Sequence, residues 1–367
     1  MQHRRGRSRM LAIGATCAVV LALAACGDDD DTASSTSAQS PTTVAATAPS
    51  TSEAPTTSAT PTSAPPDTDV PTTAAPTTTE AIADDRTIVA LDEQTAFALL
   101  SIGVTPAHVL TTLNSETFAA LNSDLGIPTT EFVIAEPSFE VVAGLDPDLL
   151  VGIENPFLVE RASEYEQIAP LVTTPLDASW EEQLQVLAVD FEATDRAASV
   201  IAAVDAFEAD TAQALADQGA AGSSVSVMTV RLGNILAVNA SGATGEILTA
   251  VDLTRPAAQL AEGPPGIPFV PVSPETVGEH DADLLVLGQG VNFDVAPLVD
   301  SPIYGQLGAV QNGAVADVVG DAWILGGTGF ATYWVLQDLV DILVDGGAPA
   351  GFDDTSARWT SFLELTS

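Results

Sequence analysis

The sequence predicts an α/β protein of two lobes with largely parallel sheets, joined by one long α-helix. Three observations lead there. Short apolar, β-type runs alternate with helical patterns, at Thr87–Leu91, Glu131–Ala135, Leu149–Ile153, Ser224–Val230, Ile267–Val272 and Leu284–Leu287; such alternation reads as parallel strands connected by helices. A twelve-residue unit occurs twice. The two copies flank a single long amphipathic stretch.

The duplicated unit is the most informative pattern. Glu140-Val-Val-Ala-Gly-Leu-Asp146-Pro147-Asp148-Leu149-Leu150-Val151 matches Glu275-Thr-Val-Gly-Glu-His-Asp281-Ala282-Asp283-Leu284-Leu285-Val286 without a gap. Each copy reads as a short helix opening on Glu, a tight turn at Asp-Pro-Asp or Asp-Ala-Asp, and then a buried strand. Polar cap sites precede them at Pro137-Ser138 and Ser273-Pro274. Between the copies, Phe191 to Gly219 carries Phe191, Val200, Ile201, Val204, Phe207 and Leu215 at helical spacing, with Gly219 as its stop. At 1.5 Å per residue this helix is on the order of 40 Å long, enough to cross between lobes. Two Rossmann-like lobes follow, at 86–190 and 220–347, with the helix at 191–219 and a C-terminal tail at 348–367.

What precedes residue 86 is of another kind. Arg4 to Arg9 form a charged segment and Met10 to Ala25 a largely apolar one ending in small residues. The run is short for a membrane span and is built like a secretion signal, over 1–25. Leu23-Ala24-Ala25-Cys26-Gly27 then has the form of a bacterial lipobox, with Cys26 as the lipid-bearing first mature residue. Cys17, the only other cysteine, leaves with the signal, so the mature chain can form no internal disulfide. From Thr32 to Glu80, 49 residues include only seven that are not Pro, Thr, Ser or Ala. Such a tract cannot bury enough apolar area to offset its ordering entropy. It reads as a tether over 26–85, reaching on the order of 45 Å on a flexible-coil scale.

Charge excludes several functions. The 367 residues hold 50 Asp or Glu against ten cationic side chains, all of them Arg. Without lysine there is no P-loop and no Schiff-base chemistry. Nucleic acid is excluded as a partner, because its binding depends on cationic neutralisation of phosphates. The mature histidines, His108 and His280, stand alone, His108 at an apparent helix start and His280 before a buried strand. Neither has a nucleophile motif beside it, and they cannot make a Zn or Mn site with a lipidated cysteine. No enzymatic chemistry and no resident cofactor are expected. Gly326-Gly-Thr-Gly329 reads as a tight turn before a helix.

With the lipobox, the tether, the duplicated Glu…Asp-x-Asp-Leu-Leu-Val unit and the inter-lobe helix, the chain resembles the substrate-binding lipoproteins of ABC importers. The branch it resembles is the one for ferric siderophores and cobalamin. Ser226-Val-Met-Thr-Val-Arg231, Gly245 to Leu253, and Ser301-Pro-Ile-Tyr304 through Val315 extend the likeness, although Tyr304 and Gln311 stand where the family has Trp and Lys. The resemblance implies a monomer anchored outside the cytoplasmic membrane by Cys26, which captures an iron(III)-siderophore between its lobes. Cobalamin or haem follow as ligands, and a ligand-free sensor or scaffold as the other class. It further implies docking to the ABC permease through Glu140 and Glu275, each a first-turn carboxylate open to an arginine fork. Ligand contacts are expected on strand-end loops: Asn155 and Phe157 in lobe one, and Arg231, Asn292, Phe293 and Trp323 in lobe two. Acidic surroundings with few arginines favour a neutral or cationic hydroxamate-type chelate over a trianionic catecholate. Tyr333 and Trp334 are expected in the core.

Overall fold

Buried aliphatic residues in short runs set the strands, and polar caps start most of the longer helices. The structure, a computed structural model, describes residues 84–111, 114–132, 138–261 and 268–367. Cys26, the signal and nearly all of the tether lie outside these residues. In lobe one the chain runs β1 (Ile88–Ala90), α1 (Glu93–Ser101), β2 (His108–Thr111), α2 (Glu116–Leu125), β3 (Thr129–Glu131), α3 (Phe139–Gly144), β4 (Leu149–Ile153), α4 (Pro156–Tyr165), β5 (Leu171–Thr174) and α5 (Trp180–Asp190). The connecting helix is α6 (Thr194–Asp217). Lobe two has β6 (Val225–Arg231), β7 (Asn234–Val238), α7 (Ala243–Ala250), β8 (Phe269–Pro271), a 3₁₀ turn at Pro274–His280 and β9 (Leu284–Gln289). It continues through α8 (Ala296–Val299), α9 (Gly308–Gln311), β10 (Val315–Val319), α10 (Gly320–Trp323), α11 (Gly329–Leu339) and α12 (Thr355–Thr366).

The two sheets have one plan. Lobe one orders its strands β3-β2-β1-β4-β5, and lobe two, read from its other edge, β8-β7-β6-β9-β10. Every pairing in lobe one is parallel. In lobe two β6 pairs β9 and β9 pairs β10 in parallel, whereas β7 is antiparallel to both β6 and β8. Taken together the sheets are therefore largely parallel, as the alternating pattern predicts, with the antiparallel pairings confined to β7.

Strand alternation divides the core. Ile88, Ala90, Leu149 and Val151 of lobe one join Val225, Val227, Leu284 and Val286 of lobe two in one large cluster, reached through α5, α6, α11 and α12. Val89 and Leu150 point the other way into a smaller cluster under α3 and α4. Met228, Val230, Leu285 and Leu287 do the same in lobe two. Aromatic rings reinforce the shared core, with Phe97 of α1 at 5.4 Å from Phe330 of α11, and Phe330 at 4.9 Å from Trp359 of α12.

The duplicated unit occupies equivalent places, running from α3 into β4 and from the 3₁₀ turn into β9. Its second aspartate does the same work twice. Asp148 Oδ2 accepts the amide of Thr87 at 2.8 Å, and Asp283 Oδ2 accepts the amide and hydroxyl of Ser224, each at 2.8 Å. Each carboxylate thus fixes the entry to the first strand of its lobe. The first aspartate has diverged: Asp146 sits in the left-handed region at φ +49°, while Asp281 caps α9 through the amides of Gly308 and Ala309.

Several expectations are corrected. The long helix starts at Thr194, because Phe191 closes α5 and Glu192, at φ +53°, breaks the chain direction between the two helices. With 24 residues it is about 36 Å long. His108 begins strand β2, not a helix, and its Nε2 lies 2.8 Å from the Thr130 hydroxyl on the neighbouring strand. Strand β3 takes the polar Thr129-Thr-Glu131, at a sheet edge, and residues 133–135 of the expected apolar run lie outside the described residues. Residues 348–367 are no tail. There α12 buries Trp359 and Phe362 against α2, α6 and α11, and Arg196 of α6 holds the Thr366 carbonyl and hydroxyl.

Candidate functional site: the cleft between the lobes

The carboxyl ends of the two sheets face one another, the place where open α/β sheets present their loops to ligands. Hydrogen bonds between the lobes fix this orientation. Glu116, at the start of α2, accepts the Val291 amide beyond β9 at 2.5 Å. Asp321, directly after β10, accepts the Ser115 hydroxyl at 3.1 Å and the Thr117 amide at 3.2 Å. Gln94 of α1 donates to the carbonyls of Leu325 and Gly326 at 2.5 and 2.7 Å. Gly329 lies so close to Trp180 that a Cβ there would come within 2.8 Å of the indole.

The strand ends differ in what they offer. After β4, Asn155 spends its side-chain oxygen on the first turn of α4, accepting the amides of Phe157 at 3.0 Å and Leu158 at 2.9 Å. Phe157 is 47% exposed, a large apolar face with no cover. After β6, the turn Leu232-Gly233 leads back into β7, and Leu232 is 94% exposed. Val291, after β9, is 64% exposed.

Arg231 ends β6 and is half-buried. Among the described residues its guanidinium has no carboxylate or carbonyl partner. The other five arginines there are all engaged: Arg86 with Asp84, Arg161 with Glu164 and the Phe139 ring, Arg196 with Thr366, Arg255 with backbone carbonyls, and Arg358 with Asp338 and Asp341. In so acidic a chain, a cation left unpaired beside a cleft is available to something else.

Two residues expected at the cleft belong to the core. Trp323 is fully buried, its indole N–H donating to Asp338 Oδ2 at 2.8 Å and its carbonyl accepting from Thr244. It stands one turn past the strand end and points inward. Phe293 is 4% exposed and packs on Gly320, where a Cβ would meet the ring at 2.4 Å. Asn292 is half-buried with a partner already in place. Arg231 and Phe157 of the expected set, and also Leu232 and Val291, stand at or just beyond strand ends with side chains left at least partly exposed. The signal of the last two was an apolar residue in a Gly-containing turn directly beyond a buried strand. Tyr333 and Trp334 are buried, as expected.

Glu140 and Glu275 are both exposed in the first turns of their short helices. Arg255 is a buried cation without a carboxylate; burial depresses its guanidinium to about 10, and it holds the carbonyls of Val238 and Asn239. Among the described residues no cluster of ligating side chains could hold a metal ion, and no helix is long and apolar enough to cross a membrane.

Two α/β lobes, joined by one long helix and facing each other through strand-end loops, define a two-lobed binding protein. Residues 88–321 match the family described as periplasmic binding protein, and the chain belongs to that family. It is 26% identical over 273 residues to the probable siderophore-binding lipoprotein YfiY of Bacillus subtilis (strain 168), covering 70% of this chain and 82% of that one. Among solved structures it is similar to Staphylococcus aureus SirA complexed with staphyloferrin B, with a TM-score of 0.59, 20% identity and coverage of 71% and 93%. Unliganded FhuD2 of the same organism aligns with a TM-score of 0.59, 16% identity and coverage of 71% and 98%. These likenesses carry the fold.

Proposed function

We propose that the chain is a lipid-anchored substrate-binding protein of an ABC importer that captures an iron(III)-siderophore and delivers it to a permease. What supports the ligand class is Arg231, without a carboxylate or carbonyl partner among the described residues, together with exposed Phe157, Leu232 and Val291 on strand-end loops. A metal chelate presents oxygen atoms on an organic skeleton, and these residues offer one donor fork and apolar faces to it. A relative named for siderophore binding supports the same class. The lipobox at Cys26 supports the anchor. Glu140 and Glu275, exposed at equivalent places in the duplicated unit, would meet the permease.

Calorimetric titration of the full chain with ferric hydroxamates, ferric catecholates, cobalamin and haem tests this reading, with iron-free chelators as controls. The expected result is saturable binding of one ferric chelate at sub-micromolar concentration, about −8 kcal/mol or better. Arg231→Gln should weaken it at least tenfold. Folded protein that binds no chelate, or an Arg231→Gln variant of unchanged affinity, would remove the reading's main support.

A further inference from the structure

A buried polar network lies in lobe two at the amino ends of β6 and β9, away from the strand-end loops of the cleft. His280, the last residue of the 3₁₀ turn Pro274–His280, is 5% exposed, and its Nδ1 stands 3.3 Å from Gln259 Nε2. Gln259 is fully buried, and its partners permit one orientation of its amide. The amide oxygen accepts from the Arg255 guanidinium at 3.2 Å and from the Val227 N–H at 3.4 Å. Its nitrogen therefore faces Ser226 Oγ, at 2.8 Å, and the histidine. A donor on that side leaves His280 Nδ1 the role of acceptor, with the ring proton on Nε2. Arg255 is itself anchored by the carbonyls of Asn239, at 2.8 Å, and Val238. The duplicated unit shows that the scaffold does not require this histidine. Leu145 stands at the same position of the first copy and packs among apolar side chains.

A proton added at Nδ1 would set one N–H against another in a buried site, with the Arg255 cation behind Gln259. We propose that Arg255, Gln259 and His280 form an acid-released latch: the neutral imidazole holds the 3₁₀ turn in place, and protonation of His280 frees it. The charged groups nearby are few. Burial pushes the imidazole below its ordinary value, and exposed Glu279 beside it recovers only part of that. Asp281, next in the chain, is spent on the amides of Ala282, Gly308 and Ala309. The facing 3₁₀ turn at Ala257–Gln259 carries no charge of its own, and Arg255 precedes it. From β6 the network takes Ser226, while Arg231 stands at the strand's other end. In the freed turn the imidazole meets water and takes a proton more readily. Opening is therefore favoured as pH falls below the ordinary histidine value of about 6.5, and the latch is firmest above it. Glu275 sits on this turn, so acid would loosen the surface that offers it. That consequence rests on the proposed docking, but the latch itself does not.

Labelling the full, ligand-free chain with 15N-histidine gives signals from three residues, His3, His108 and His280, and His280→Asn assigns the last. At neutral pH its ring should carry the proton on Nε2. Amide hydrogen exchange then reads the latch at Thr276 and Asp281, whose N–H groups bond within the turn to Ser273 and Gly278. After correction for the intrinsic pH dependence, exchange at both should quicken as pH falls from about 7 to about 5, toward a limit of about tenfold per pH unit for one proton. The amides of β9 serve as the control and should not follow. His280→Asn places a non-titrating amide oxygen near the Nδ1 position and should abolish the dependence. If that variant does not fold, His280→Leu, with the residue of the first copy, must abolish it instead. A neutral ring protonated on Nδ1, turn amides indifferent to pH, an equal rise in β9, or a dependence that survives the substitution each overturns the proposal. Because no chelate or permease is present, these outcomes are independent of the calorimetric ones.

Discussion

The two lobes share a strand order and differ in the direction of one strand. In lobe one, β1 passes through α1 to reach β2 in parallel; in lobe two, β6 turns back at Leu232-Gly233 into antiparallel β7. The crossover places a helix start at the rim, with Asp92 capping α1 through the Thr95 amide at 2.6 Å and gripping the Ile153 amide at 3.1 Å. The hairpin instead leaves Arg231 with no carboxylate or carbonyl partner among the described residues, and beside it an uncovered leucine. By contrast, the duplicated segments keep their mechanics, with Asp148 and Asp283 anchoring equivalent strand entries and Glu140 and Glu275 exposed at equivalent helix starts. What is duplicated is scaffold and outward-facing surface. What differs is the turn that follows the first strand.

The strongest way to break the equivalence lies at the strand-end tryptophans. Trp180 follows β5 and Trp323 follows β10, the matching strand, yet Trp180 is half-buried and Trp323 fully enclosed. Trp323→Ala should cost about 3–5 kcal/mol of stability, the range for emptying a large core site. Trp180→Ala should cost about half as much, since only part of its ring is buried. Urea unfolding measures both. Trp323→Phe, which strips Asp338 of a donor but keeps the bulk, should lower stability and leave chelate affinity alone. Altered affinity at equal stability would return Trp323 to the cleft.

Two aspartates of lobe two sharpen the comparison through pH. Asp338 is fully enclosed, and burial raises its carboxyl to about 6, despite bonds from Trp323 and Ala350 and the charge of Arg358. Its folded value lies above the unfolded one. Its contribution to stability is therefore complete below about pH 4 and is lost as pH rises through about 6, a swing on the order of 3 kcal/mol. Asp283 works in the opposite sense. The Ser224 amide and hydroxyl hold it below the ordinary carboxylate range, so its contribution is present near neutrality and lost on acidification. Melting temperatures between pH 4 and 7 should show Asp338→Asn flattening the decline above pH 4. If the decline persists in Asp338→Asn, another buried acid is responsible.

Much of this architecture is legible in the residues, and the limits have physical causes. The Leu149–Ile153 strand emerges at its expected bounds because it is apolar, buried on both faces and preceded by the Asp-Pro-Asp turn. The duplicated unit reveals two lobes because a carboxylate must anchor each strand entry. Strand β2 escapes notice because Pro106-Ala-His108 resembles a helix start while Thr130 on the neighbouring strand satisfies the histidine. The terminal helix hides in a segment with few apolar residues, since Trp359 and Phe362 need partners over 100 residues away in sequence to become core. Residue type and strand-end position single out Arg231 and Phe157, whose side chains the structure leaves at least partly exposed. They cannot separate Trp323 in the core from an exposed aromatic, because that depends on which way a side chain turns one residue beyond Ala322.

The finest test of the lobe difference is the turn that creates it. Leu232 and Gly233 both have positive φ, +50° and +76°, the pairing of a two-residue hairpin that favours Asn-Gly. A leucine held in the left-handed region costs roughly 1–2 kcal/mol, and at 94% exposure it regains nothing by burial. Leu232→Asn should therefore raise stability by about 1 kcal/mol, visible as a higher urea midpoint with an unchanged slope. If the strain is kept for the ligand, the same variant should bind the chelate several-fold more weakly. A more stable protein with undiminished affinity would show that the hairpin tip lies outside the site, leaving Arg231 to act without its apolar neighbour.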